Sequence, residues 1–296
     1  MGPVKVGVYL PQYGADGDVD VAAHARHAEE VGLESVWVGD HLIPLNPVLD
    51  STLVAATVAA VTERVKIGFG VMIPALRPVA WTAKQVATLQ HLSSDRILLG
   101  IGSGGDIHGD ATWRAIGVPY HKRGRCTDAA LEMLPTLIAG EATMVNGEDV
   151  TLAPGATMPP VLVAGSSTTL RRVARFGDEW YPAFITPEEV SDTIPRLAEL
   201  ANDYGRPAPG ITLNVSVGLG DLAESDIEEQ VQGLMVHGLS NAEARRRLVF
   251  GEPARAAESF AEFAEAGVDR IVAYPFAGDR FRQSELLAET GRLVNG

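Results

Sequence analysis

Short apolar runs alternate along this chain with longer stretches in which apolar residues recur every three or four positions. The first pattern fits strands buried on both faces, the second amphipathic helices. Strands are predicted at 4–10, 35–39, 66–73, 96–101, 161–164, 179–182, 211–219 and 270–275. Helices are predicted between them, at 19–31, 47–61, 79–92, 123–139, 168–176, 188–204 and 254–266, with a last one at 282–294. Phe260, Phe263 and Ala264 share one helix face, as do Leu131, Leu134 and Ile138. Gly32, Gly177 and Gly267 stand where helices end, a position that favours glycine.

Eight strand–helix pairs predict a (β/α)8 barrel, an architecture of about 250 residues. The barrel is expected to occupy residues 1–296 as one domain with small insertions. An open doubly wound sheet is the alternative. Asn146-Gly147 between two short β-prone runs predicts a hairpin, so 140–157 reads as an insertion before the fifth strand. The 223–252 stretch reads as an irregular helical excursion before the last strand.

Composition narrows the partners. The net charge of −14 argues against nucleic acid and anionic membranes. One cysteine, Cys126, cannot form an internal disulfide and fits a reducing cytoplasm. The start of the chain reads as a strand rather than a signal peptide, and no apolar run approaches membrane-spanning length. A cytoplasmic protein without nucleic-acid or membrane partners is expected.

A barrel of this kind builds its site from loops at the carboxyl ends of its strands. Asp40 and His41 follow the second strand. An imidazole there can move a proton near neutral pH or simply hold the loop, and position alone leaves both readings open. Asp40 reads equally as a catalytic group or a loop anchor. Gly68 and Gly70 interrupt the third strand, as glycine does at a bulge, at a close approach to a ligand, or where the interior is crowded. Gly102 and Ser103 after the fourth strand leave room for a planar ring. Ala164, Gly165, Ser166 and Ser167 make a sharp turn into a helix, whose bare N–H groups suit an anion or whose tightness merely connects two elements. Arg96 and Asp178 read as ion-pair partners at the far end of the barrel. Asp106, His108 and Asp110 match no defined metal motif, so no metal is expected.

Several segments resemble the luciferase-like flavin and deazaflavin oxidoreductases. Residues 159–182, PPVLVAGSSTTLRRVARFGDEWYP, are similar to the family's phosphate-binding strand-turn-helix, although the first of its usual two glycines is replaced by Ala164. Residues 28–41, AEEVGLESVWVGDH, resemble its A-E-x-x-G-x-x-S-x-W-x-x-D-H. Residues 77–93, RPVAWTAKQVATLQHLS, resemble R-x-P-x-x-x-A-K-Q-x-A-x-L-x-x-L-S, and 116–125 its G-V-P-x-x-x-R-G-R segment. The resemblance implies a luciferase-like TIM barrel with His41 beside the reactive ring. It also implies a non-prolyl cis peptide at Gly70-Val71, with Gly70, Val71 and Met72 backing that ring. The cofactor phosphate would lie at Ala164–Ser167. Asp-His after strand two is common in the deazaflavin branch, which points to coenzyme F420, with FMN as the alternative.

The activity implied is hydride transfer between F420 and a small organic substrate. An FMN-dependent monooxygenase using O2 is the alternative, and a non-catalytic F420- or flavin-binding protein the second. A homodimer is implied, with helix 79–92 in its interface. The family's deazaflavin glucose-6-phosphate dehydrogenases carry a glutamate where this chain has Gly105, a departure from their pattern.

Overall fold

The computed structural model describes residues 2–11, 19–44, 47–105, 109–166 and 169–296. Eight parallel strands close on themselves: β1 (Lys5–Tyr9), β2 (Ser35–Val38), β3 (Lys66–Phe69), β4 (Ile97–Ile101), β7 (Val161–Ala164), β8 (Glu179–Tyr181), β9 (Gly210–Leu219) and β11 (Arg270–Pro275). The ring runs β1-β2-β3-β4-β7-β8-β9-β11 and returns to β1. Helices wrap its outside, so the fold is a (β/α)8 barrel. Between β4 and β7, strands β5 (Thr143–Val145) and β6 (Glu148–Val150) form the hairpin expected at Asn146-Gly147. The excursion after β9 differs from expectation. Besides helices α8 (Glu224–Met235) and α9 (Asn241–Arg246) it holds a strand, β10 (Leu248–Gly251), paired with Ser216–Leu219 of β9. At ten residues β9 is long enough to overhang its other neighbour β8, and β10 covers that edge.

Strand parity sorts the core into two layers. Val4, Val6, Val8 and Leu10 point outward into the large apolar layer under the helices, with Ile67, Phe69, Leu99 and Ile101. Tyr9, Trp37, Leu98, Leu162, Tyr181 and Val272 point inward and fill the barrel. Trp37 takes the largest share of that interior. A Cβ on Gly68 would lie 2.3 Å from its ring, and one on Gly7 would lie 2.8 Å from its Nε1. The two glycines therefore make room for one indole, the crowding explanation for Gly68.

The amino-terminal mouth of the barrel is closed by charge. Arg270 is buried, bonds Glu34 at 3.0 and 3.1 Å and Glu179 at 2.9 Å, and donates to Thr212. Arg96 is equally buried but is not the ion pair expected. Its guanidinium donates to the carbonyls of Ala59, Thr62, Val65 and Ser93 and to the Thr62 hydroxyl, tying α2 (Ser51–Val61) to the start of β4. Asp178 does pair with an arginine, Arg206, at 3.1 Å.

Removing Arg270 strands two carboxylates in a partly desolvated place. Arg270→Met should cost about 3 kcal/mol by urea unfolding, and adding Glu179→Gln should restore part of that loss. A midpoint unchanged by Arg270→Met would mean the cluster does not hold the barrel closed.

Candidate functional site

At the carboxyl end, β3 leaves its ladder. Gly70 N–H still bonds Val38 O at 2.8 Å, but the Gly70-Val71 peptide is cis. The chain rejoins β4 at Met72, whose N–H donates to Gly100 O and whose carbonyl accepts from Gly102 N–H. The displaced peptide forms a raised floor. Beneath it the Tyr9 hydroxyl donates to the Gly70 carbonyl. Tyr9 and Tyr181 hydroxyls are 3.1 Å apart, and the Asn214 amide donates to them at 3.2 and 3.4 Å. Tyr181 stacks on Trp37 with ring centroids 5.3 Å apart. Gly102 lets the chain close on the floor, since a Cβ there would lie 2.4 Å from a Val71 methyl.

Two chambers meet over this floor and share Gly70, Val71, Ala164 and Gly165. The first, about 340 Å³, is lined on the β2–β4 side by Asp40, His41, Leu42 and Ile43, by Gly102–Gly105, and by Ile73 and Trp113. The second, about 600 Å³, lies on the β8–β9 side against Ser166, Tyr181, Phe184, Ile185 and Asn214. Both volumes suit a small-molecule site.

The loop after β2 is set by Asp40. Its carboxylate has about four acceptor positions, and four donors occupy them: Arg77 at 2.8 and 2.9 Å, Ile73 N–H at 2.9 Å and Ser51 Oγ at 3.1 Å. Burial works against the Arg77 charge, but Asp40 outweighs it and raises the guanidinium pKa. Asp40 is thus a loop anchor, the structural one of its two sequence readings, and it has no acceptor left for a reacting proton. What it anchors is His41, half-buried in the wall of the first chamber.

The turn after β7 is shaped by Gly165, at φ +144°, where a Cβ would lie 2.1 Å from the Thr169 hydroxyl. Thr169 N–H and Oγ1 both donate to Ser166 O, and the Trp180 indole donates to Gly165 O at 2.9 Å. Arg172 is turned onto Asp128 at 2.5 Å, away from the turn. Arg123 supports the neighbouring loop by donating to Gly104 O at 3.2 Å.

Of the residues singled out from sequence, His41, Asp40, Gly70, Val71, Gly102, Ser103, Ala164, Gly165 and Ser166 all line this mouth. Met72 does not: its side chain is fully buried in the outer apolar layer. Ser167, Asp106 and His108 lie outside the described residues. Among the described residues no cluster of three metal-ligating side chains occurs, and no helix is long and apolar enough to cross a membrane. Sequence reasoning missed Tyr9, Tyr181 and Asn214. Their inward parity on the strands was the available signal.

The family model for luciferase-like monooxygenases matches residues 10–229, and the chain belongs to that family. It is an enzyme of the luciferase-like type. An uncharacterized protein of Mycobacterium tuberculosis is 31% identical over 170 residues, which cover 55% of this chain and 58% of that protein's length. This match spans little more than half of that relative. An F420-dependent glucose-6-phosphate dehydrogenase of Amycolatopsis mediterranei is 25% identical over 325 residues, 97% of this chain and 96% of its own. A solved F420-dependent secondary alcohol dehydrogenase superposes with a TM-score of 0.83 over 100% of both chains at 16% identity, a likeness of fold.

Burial raises the pKa of both phenols above their ordinary 10.0, and for Tyr181 the adjacent Tyr9 raises it further. A group held protonated in the folded state stabilises fully below its unfolded pKa and loses that contribution as pH rises. Stability should therefore fall as pH passes 10.0, and Tyr9 and Tyr181 should ionise only with unfolding. Phenolate absorbance followed beside circular dichroism checks this. Ionisation of both in a still-folded protein contradicts it. Tyr9→Phe, which removes the donor under Gly70, should cost about 1–2 kcal/mol in urea.

Proposed function

We propose that the protein is an F420-dependent oxidoreductase that exchanges a hydride with a small organic substrate. The observation carrying this reading is the meeting of two chambers over Gly70-Val71 with His41 in the wall of one. The Amycolatopsis relative, aligned along nearly the whole chain, supports F420 over FMN. The residues present fit such a group. The floor is flat and neutral, glycines at 102, 104 and 105 keep side chains away from it, and the Gly165–Ser166 turn suits a phosphate.

When bound, the deazaflavin supplies two-electron hydride chemistry. The protein supplies the rest. The Gly70-Val71 peptide and the Val71 side chain would hold the ring, and the Tyr9–Tyr181–Asn214 bonds keep that support from shifting. Ser166 and the Gly165 turn hold the anionic tail. His41, positioned by the Asp40–Arg77 pair, takes the hydroxyl proton as an alcohol is oxidised and returns it when a carbonyl is reduced.

Nonpolar side chains also stand outward on two adjacent helices, Leu53 on α2 and Trp81 on α3 (Val79–Ser93), at 70% and 65% exposure. They support a homodimer through this face. Trp81→Glu should convert the dimer to monomer by light scattering. A wild-type monomer, or a variant that stays dimeric, contradicts that assignment.

His41→Ala tests the mechanism. It should lower the rate of hydride transfer about 10²- to 10⁴-fold while leaving F420 affinity within a few-fold. The wild type should turn over without consuming oxygen. Oxygen uptake with reduced FMN would favour the monooxygenase reading, and an unaffected His41→Ala would remove the imidazole from the chemistry.

A further inference from the structure

The charge of the mouth is lopsided. Among the described residues lining the two chambers there is no lysine and no arginine, and the charged ones are Asp40, Glu189 and Asp192. The arginines nearest the walls are turned onto protein groups. Arg77 bonds Asp40, and Arg247 bonds Glu189 at 2.8 Å and the Phe184 carbonyl at 2.7 Å. The arginines of α6 (Leu170–Phe176) line a cleft that adjoins the first chamber at Thr169; there Arg172 and Arg175 meet Asp128 and Glu132, and Arg171 is exposed at its rim.

We infer that the mouth takes an uncharged substrate, an alcohol or carbonyl compound with an apolar body, and rejects phosphorylated and carboxylated ones. This rests on the oxidoreductase reading above. An anion moved from water into a chamber walled by Leu42, Ile43, Trp113, Phe184 and Ile185 loses hydration and needs a cation or several donors in return. Among the described wall residues no lysine or arginine supplies that return, and the rim carboxylate of Asp192 adds repulsion. The Gly165–Ser166 turn, the best-suited place for a phosphate, is already assigned to the cofactor. A hydroxyl or carbonyl group loses much less hydration. Polar groups of the walls can bond it: the Asn214 amide and Tyr181 hydroxyl, which also bond Tyr9, in one chamber, and Ser103, Thr112 and His41 in the other. The selection is one of charge, and the apolar walls supply affinity for the body of the molecule.

Calorimetric titration with size-matched probes tests this. Cyclohexanol, cyclohexanone, cyclohexanecarboxylate and cyclohexylammonium would be titrated at low salt into the F420-saturated protein and into the protein alone, with glucose 6-phosphate as a fifth probe. The neutral pair should bind at least tenfold tighter than the carboxylate, and glucose 6-phosphate should bind no better than the carboxylate. Asp192→Lys should narrow the gap several-fold. Equal or tighter binding of either anion, tightest binding of the ammonium, or no binding of any probe would overturn the inference. Failure of F420 itself to bind would instead overturn the cofactor assignment, and the ranking of the four cyclohexyl probes on the cofactor-free protein, where the Gly165–Ser166 turn is open to a phosphate, would still decide this one.

Discussion

The hydrogen bond from the Tyr9 hydroxyl to the Gly70 carbonyl is the contact on which the shape of the mouth depends. A peptide pushed out of its ladder leaves a carbonyl facing the barrel interior, where an unpaired acceptor is costly. Tyr9 satisfies it, Tyr181 and Asn214 satisfy Tyr9, and Trp37 packs Tyr181 in place. The chain of support is possible because Gly7 and Gly68 give up their side chains to the indole. One substitution in that chain would be felt at the floor of both chambers.

The two ends of the barrel use opposite electrostatics. The amino-terminal end is sealed by Arg270 between Glu34 and Glu179, a structural cluster. The carboxyl-terminal end is built largely from hydroxyls, amides and glycines; Asp40 and Glu189 in its walls are paired with Arg77 and Arg247, and the carboxylate of Asp192 stands at the rim. This separation follows the division of labour in such barrels, with stability at one end and chemistry at the other. Among the described residues it leaves the two chambers without a lysine or arginine in their walls.

Much of this was legible in the sequence because it is local. Apolar runs marked the eight strands, Asn146-Gly147 marked the hairpin, and small residues after the third, fourth and fifth barrel strands marked the mouth. What was not legible depends on contacts between distant positions. Tyr9, Tyr181 and Asn214 come from three strands far apart in the chain, and no spacing reveals their meeting. Asp40 read equally as a catalytic group or a loop anchor, because its partner Arg77 lies beyond the next strand. Met72 looked like part of the floor, but parity turns its side chain into the outer layer. Arg96 resembled an ion-pair partner, yet it serves carbonyls at a helix end. The β10 run, Leu248–Gly251, was absorbed into a helical excursion because only the overhang of β9 gives it a partner.

The central claim is that a deazaflavin ring rests on the Gly70-Val71 floor. Titration of the purified protein with F420, followed by fluorescence quenching and competed with FMN, tests it most directly. Saturable F420 binding at one equivalent per chain, weakened in Gly70→Ala and little displaced by FMN, is the result expected. Tight FMN binding with no F420 binding, or F420 binding unaffected by Gly70→Ala, would contradict it.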